Sequence, residues 1–323
     1  MKVLVNGAAS CATVPGLEKI QDQVELLFAN SPQEFAEQVP EAEILMGWSF
    51  KSNDLKQNWP SAKNLKWVHC CSAGVDAVLF PELVSSDVVV TNSRGVFDHA
   101  MAEYVLGYML SEVKRFKDSI AHQQNKTWGY QTTQTLSGQK VAIYGVGSIG
   151  QEIARVLSLM GMEVKGVGRS ARYDDPVFGN VAGYESRMDI ARQSDWVVAV
   201  LPQTDATIDY FNQDFFESMP PHARFINVGR GTAVDEQALM QALNTDRIAG
   251  AMLDVFKQEP LPVESDLWQV KNLTISGHMS GDYATFEEDL VKLFIQNLER
   301  YTQAQPLLNL IDKQSGFSAV RFS

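Results

Sequence analysis

Apolar residues in this chain fall into short runs of strand length, and between those runs they recur at helical spacing. In the first hundred positions the runs are KVLV (2–5), VELLFA (24–29), AEILMGW (42–48), LKWVHCCSAG (65–74) and VVVTN (88–92). SPQEFAEQVP (31–40) and FPELVSSD (80–87) carry the cap-then-apolar pattern of short helices. DHAMAEYVLGYMLSEVKRF (98–116) reads as one long helix with Asp98 or His99 near its start. The stretch 122–137, rich in Gln and Thr, reads as a polar arm or long loop. Its Trp128 and Tyr130 would bury either within the chain or against a second subunit.

After Gly138 the alternation restarts with KVAIYG (140–145), EVKGVG (163–168), DWVVAVL (195–201), ARFINVG (223–229), IAGAMLDV (248–255) and NLTISG (272–277). Helical stretches such as DEQALMQALN (235–244) separate most of them. Six strands are what a complete dinucleotide-binding sheet needs. The pattern predicts an α/β protein of doubly wound parallel sheets. The final amphipathic helix, YATFEEDLVKLFIQNLERYTQ (283–303), is long enough to cross back to the first domain. That organisation makes residues 1–97 and 288–323 a split outer domain and residues 98–287 an inserted one.

Length and charge change the picture modestly. The 323 residues suit two domains rather than one core. With 27 Lys and Arg against 39 Asp and Glu, the net charge is −12, and no basic cluster is large enough for a nucleic-acid partner. An anionic substrate would need a locally basic site. No apolar run reaches the length of a membrane span, and MKVLVNGAAS reads as a first strand, not a secretory segment. Cys11, Cys70 and Cys71 give an odd count with no framework spacing, which points to reduced thiols in a cytoplasm. The His-Cys-Cys run at 69–71 reads as a strand end, so no metal is expected.

Gly145, Gly147 and Gly150 fit G-x-G-x-x-G, placed after the strand KVAIY and before the helix QEIARVLSLMG. The first glycine permits the turn, the second lets a pyrophosphate approach the backbone, and the third lets helix and strand pack closely. An NAD site usually has Asp or Glu about 20 residues further on, for the adenosine ribose. Arg169 stands there instead. With Ser170 and Arg172 it offers a cationic cup for a 2′-phosphate, unless these are simply solvated loop residues. This favours NADPH and leaves NADH open.

Three polar residues follow strand candidates: Arg230 in NVGRG, Glu259 in QEPLP and His278 in SGHMSG. Open α/β sheets bind ligands at such strand ends. A guanidinium suits a carboxylate or carbonyl, an imidazole suits proton transfer, and a carboxylate beside it would hold its tautomer. Each also has a plain structural alternative, as a cap, an exposed side chain or a loop residue.

Taken together, the motifs resemble the D-isomer-specific 2-hydroxyacid dehydrogenase family, in particular its NADPH-using glyoxylate/hydroxypyruvate reductases. They run in family order: SAGVD (72–76), MAEYVLGYML (101–110), LSGQKVAIYGVGSIG (136–150), LPQTDAT (201–207), FINVGRGTAVDEQAL (225–239), GAMLDVFKQEPLP (250–262) and SGHMSG (276–281). The resemblance implies two Rossmann-like domains and puts the catalytic roles on Arg230, Glu259 and His278. It also implies cofactor contacts at Ser148, Ile149, Leu201, Pro202, Val228, Gly229 and Asp254. Substrate-carboxylate contacts would come from the amides of Ala73, Gly74 and Val75. It further implies a homodimer joined through the nucleotide-binding domain, which would employ the 122–137 arm. The chain departs from the family where Ser276-Gly277 replaces the frequent Thr-Pro before the histidine. The expected activity is reduction of a small 2-oxo acid to the D-2-hydroxy acid. A formate- or phosphite-type dehydrogenase and a cofactor-sensing regulator of the corepressor type stand as alternatives.

Overall fold

A computed structural model describes residues 1–49 and 52–318. By internal contacts the chain divides into two compact units, Met1–Phe97 with Tyr283–Ser323, and Asp98–Asp282.

In the first unit, strands β1 (Lys2–Asn6), β2 (Glu25–Ala29), β3 (Ile44–Gly47), β4 (Trp67–Cys70) and β5 (Val89–Asn92) form a parallel sheet in the order β2-β1-β3-β4-β5. Helices α1 (Pro32–Gln38), α2 (Asp54–Gln57) and α3 (Pro81–Val84) lie between them. Parallel sheets bury both faces, so their strands are apolar on both sides, with successive residues pointing opposite ways. Leu4, Leu45, Val68 and Val90 pack with Phe35 and Leu83 on one face, while Val3, Val5, Ile44, Met46 and Trp67 pack on the other.

The second unit opens with α4 (Asp98–Val113) and α5 (Phe116–Gln124). The long helix expected from the pattern breaks at Arg115, whose left-handed φ of 56° cannot continue a helix. Helical structure then resumes to Gln124, beyond the point where the sequence reads as irregular. The arm that follows leaves Trp128 and Tyr130 98% and 89% exposed. Next come β6 (Lys140–Tyr144), α6 (Ser148–Leu159), β7 (Glu163–Val167), β8 (Arg172–Asp175), β9 (Gly179–Ala182), α7 (Arg187–Ala191), β10 (Trp196–Ala199), α8 (Gln213–Ser218), β11 (Arg224–Asn227), α9 (Glu236–Asn244), β12 (Gly250–Leu253) and β13 (Leu273–Ile275). The sheet order is β13-β12-β11-β10-β6-β7-β9-β8, parallel except for β8. All six strands expected here form. The β8–β9 hairpin is additional: its strands are short and mostly exposed, so no apolar run announces it. Tyr144, Phe211, Phe215, Phe216 and Phe225 pack edge to face in the core below this sheet.

Helix α10 (Phe286–Thr302) belongs to the first unit. Its Leu290, Val291, Phe294 and Leu298 complete the core around Trp67, whose ring stacks on Phe294 and Tyr301 at centroid distances of 5.4 and 5.3 Å. The last described residues form the hairpin β14 (Ile311–Asp312) and β15 (Phe317–Ser318). No helix among the described residues is long and apolar enough to cross a membrane.

Candidate active site

Strand β6 sits where the order of the second sheet reverses, between β7 and β10. A doubly wound sheet opens its ligand crevice at such a switch point, outside the carboxyl ends of the strands. The glycine turn leaves β6 there, and each of its glycines has a distinct constraint. Gly145 has φ 110°, and a Cβ on it would lie 2.4 Å from Val200 O. A Cβ on Gly150 would lie 1.9 Å from Gly145 O, so only glycine lets α6 start this close to the strand. A Cβ on Gly147 would meet nothing within 4 Å, which leaves open space beside the backbone. Gly147 is also the N-cap of α6, with Ser148 and Ile149 in the first turn and no side chain capping them. The N–H groups and dipole of an uncapped helix start suit a pyrophosphate. The turn therefore fits a dinucleotide.

Beyond β7, Arg169 and Ser170 are exposed. Arg172 belongs to β8, where its Nε and Nη2 donate to Asp175 Oδ2 at 2.9 and 2.7 Å. Burial alone would raise the Asp175 carboxyl, but hydrogen bonds from the Phe178 and Val177 amides and from Arg172 hold it below the usual carboxylate range. Arg172 is thus exposed like Arg169 and Ser170, and part of its guanidinium is engaged with Asp175.

Leu201 and Pro202 follow β10, and Val228, Gly229 and Arg230 follow β11. Both glycines around Arg230 are sites of close approach: a Cβ on Gly229 would lie 2.8 Å from Leu201 N, and one on Gly231 would lie 1.9 Å from Phe256 C. Asn227, fully buried at the end of β11, clamps the turn. Its Oδ1 accepts Gly229 N–H at 3.0 Å and its Nδ2 donates to Arg230 O at 3.0 Å. The sequence pattern did not single out Asn227; an asparagine ending an otherwise apolar strand was the available signal.

His278 follows β13 and carries a left-handed φ of 55°. Its Nδ1 lies 2.7 Å from Glu259 Oε2, and Glu259 Oε1 accepts the Phe256 N–H at 3.0 Å. An ionised carboxylate only accepts, so with Glu259 ionised Nδ1 carries the proton in this pair. Asp254, completely buried after β12, builds the histidine's loop. Its Oδ1 accepts the Ser276 hydroxyl at 2.6 Å and the Met279 N–H at 3.0 Å, and its Oδ2 accepts the Ser280 N–H at 2.9 Å. Its carbonyl accepts the His278 N–H at 2.7 Å. Ser276, noticed in the sequence as a departure, is thus a direct partner of Asp254.

In the first unit Ala73, Gly74 and Val75 follow the carboxyl end of β4. Cys70 and Cys71 are buried, and burial pushes the Cys70 thiol up to about 12. Trp48 is partly buried against the face of the first sheet that α10 covers.

A glycine turn at a sheet's switch point, with a hydrogen-bonded histidine–carboxylate pair and an arginine at strand ends of the same sheet, suits a nicotinamide-dependent dehydrogenase. Residues 106–280 match the family model for the NAD-binding domain of D-isomer specific 2-hydroxyacid dehydrogenases, and the chain belongs to that family. A family protein of known structure from Aeromonas salmonicida subsp. salmonicida A449 is 34% identical, with a TM-score of 0.83 over 97% of this chain and 98% of that one. The NADPH-dependent glyoxylate/hydroxypyruvate reductase from Sinorhizobium meliloti, solved with NADP and sulfate, is 26% identical. Its TM-score is 0.84 over 98% of this chain and 99% of that one. Glyoxylate/hydroxypyruvate reductase A of Salmonella heidelberg (strain SL476) is 27% identical over 263 residues, 80% of this chain and 83% of its own length. The protein is an NAD(P)-dependent oxidoreductase of the 2-hydroxyacid dehydrogenase class.

Proposed function

We propose that this protein reduces a small 2-oxo acid of the glyoxylate or hydroxypyruvate type to the D-2-hydroxy acid, preferring NADPH. The observation that carries the reading is the 2.7 Å contact between His278 Nδ1 and Glu259 Oε2, at the carboxyl end of the sheet that bears the glycine turn. A reduced nicotinamide, when bound, supplies the hydride that adds to the carbonyl carbon. His278, its Nδ1 proton held by Glu259, delivers the Nε2 proton to the carbonyl oxygen, and Glu259 stabilises the imidazolium. Arg230 polarises that oxygen and anchors the carboxylate, and the amides of Ala73, Gly74 and Val75 bind the carboxylate.

Gly145, Gly147, Ser148, Ile149 and Gly150 hold the pyrophosphate, and Arg169, Ser170 and Arg172 form the cup for the 2′-phosphate. Leu201, Pro202, Val228, Gly229 and Asp254 line the rest of the nucleotide's path. Asp254 acts there chiefly by building the loop of His278. Trp128 and Tyr130, exposed on the arm, suit burial against a second copy in a homodimer joined through the nucleotide-binding unit. The three cysteines, without framework spacing, suit an enzyme of small molecules in a reducing cytoplasm. The testing experiment follows the absorbance of NADPH, and separately of NADH, with a panel of 2-oxo acids. Turnover of glyoxylate or hydroxypyruvate with a lower KM for NADPH is expected. No consumption with any 2-oxo acid refutes the assignment and favours a regulator.

A further inference from the structure

Asn92 closes β5 and is buried, 6% exposed. Its Nδ2 donates to Ala73 O at 2.5 Å, and its Oδ1 accepts the Arg94 N–H at 3.3 Å. One residue along the same loop, the Ser72 hydroxyl donates to Gly74 O at 2.7 Å. Ser93 joins strand end to loop again: its N–H meets Ser72 O at 2.9 Å and its hydroxyl meets Cys70 O at 3.0 Å. Asn92 is itself held from the C-terminal segment. Asn309, left-handed with φ 54°, donates Nδ2 to Asn92 O at 3.2 Å and to Arg94 O at 2.8 Å, and its carbonyl accepts the Asn92 N–H at 3.4 Å.

In a planar trans peptide the C=O and the following N–H point in opposite directions. Fixing Ala73 O therefore fixes the Gly74 N–H, and fixing Gly74 O fixes the Val75 N–H. Side-chain donors hold both carbonyls, so each amide is turned away from the donor that grips its peptide. Preset amides of this kind bind an anion without a reorganisation cost at the moment of binding. The donor chemistry at Asn92 is specific. Alanine would free the Ala73–Gly74 peptide, and aspartate would set an acceptor against Ala73 O.

We propose that Asn92 is a positioning residue that tunes affinity for the substrate's carboxylate by fixing the Ala73–Gly74 peptide, with Asn309 holding Asn92 in place. The proposal rests on the reading of the 73–75 loop given under the proposed function. Its test uses the full chain carrying Asn92→Ala, Asn92→Asp, Ser72→Ala or Asn309→Gly. The last variant keeps the left-handed backbone accessible while deleting the side-chain amide. The readouts are KM for glyoxylate and hydroxypyruvate at saturating NADPH, kcat, and the NADPH dissociation constant by fluorescence. Loss of one partly buried hydrogen bond that presets the loop predicts a KM rise of about 10-fold for the Asn92 variants and several-fold for the other two, with NADPH affinity unchanged. If the Asn92 variants fail to fold, Ser72→Ala reads the same loop from its other carbonyl. An unchanged substrate KM in any folded variant of Asn92 or Ser72 overturns the proposal. So does a rise in substrate KM matched by weaker NADPH binding and lower thermal stability, the mark of a purely structural role. A wild-type protein that reduces no 2-oxo acid overturns the underlying reading, visibly before any substitution is made.

Discussion

Replacing the fully buried Asp254 with alanine removes the acceptor of three hydrogen bonds, from the Ser276 hydroxyl at 2.6 Å and the Met279 and Ser280 amides at 3.0 and 2.9 Å. Bonds to an ionised acceptor contribute about 1.5–3 kcal/mol each, and an amide left buried without an acceptor costs about 1–3 kcal/mol. The Ser276 hydroxyl can rotate toward another partner, whereas the two amides cannot leave the backbone. These terms share one group and do not add fully, so a net loss of roughly 3–5 kcal/mol is expected. That is a large share of the roughly 5–15 kcal/mol that holds a typical protein folded. The same bonds keep His278 at φ 55°, a conformation costing roughly 1–2 kcal/mol for a residue with a Cβ. Relaxation of the loop should therefore move the imidazole off Glu259 as well. Asp254→Asn keeps the shape but turns a donor toward one of the three donors, so it should lose about half as much. Urea unfolding followed by circular dichroism gives the stability, and NADPH consumption gives kcat. An Asp254→Ala variant within about 0.5 kcal/mol of wild type and with full turnover would refute the reasoning.

Two further predictions follow from charge. His69 is completely buried and its pKa is depressed to about 3 by desolvation, so the folded imidazole stays neutral where the unfolded one, near its usual 6.5, takes a proton. The unfolded state binds the extra proton between those two values, so stability falls as pH drops through 6.5 and stops falling near 3. The loss between pH 7.5 and 5 is about 2 kcal/mol from this residue. In denaturant titrations His69→Gln should show a flatter pH dependence by that amount, and an unchanged slope would contradict the account. For the cofactor, Arg169→Ala should raise KM for NADPH by about 10-fold while sparing NADH. An equal effect on both would remove the 2′-phosphate argument.

The strands of both sheets were legible because parallel strands buried on two faces must be apolar at almost every position, as KVAIY and DWVVAV are. The β8–β9 hairpin was not, since strands with little burial, such as Arg172–Asp175, carry no apolar signature. The helix break at Arg115 escaped the pattern for another reason: amphipathic spacing runs on through a residue that adopts φ 56°. At the site, residue types and strand-end positions pointed to Arg230, Glu259 and His278, and the contact between the last two is a matter of geometry alone. The supports were harder to see. Asn227 and Asn92 are buried amides whose partners are backbone carbonyls and amides in neighbouring turns, and a carbonyl has no letter in a sequence. Arg172 likewise has a partner that the motif did not name, Asp175 three residues on.

The most direct test of the whole account is the turnover of His278→Gln with NADPH and glyoxylate or hydroxypyruvate, measured beside its NADPH affinity. Loss of the proton donor should lower kcat by about 100-fold or more with NADPH binding intact. Wild-type turnover in that variant would contradict the claim that this imidazole delivers the proton.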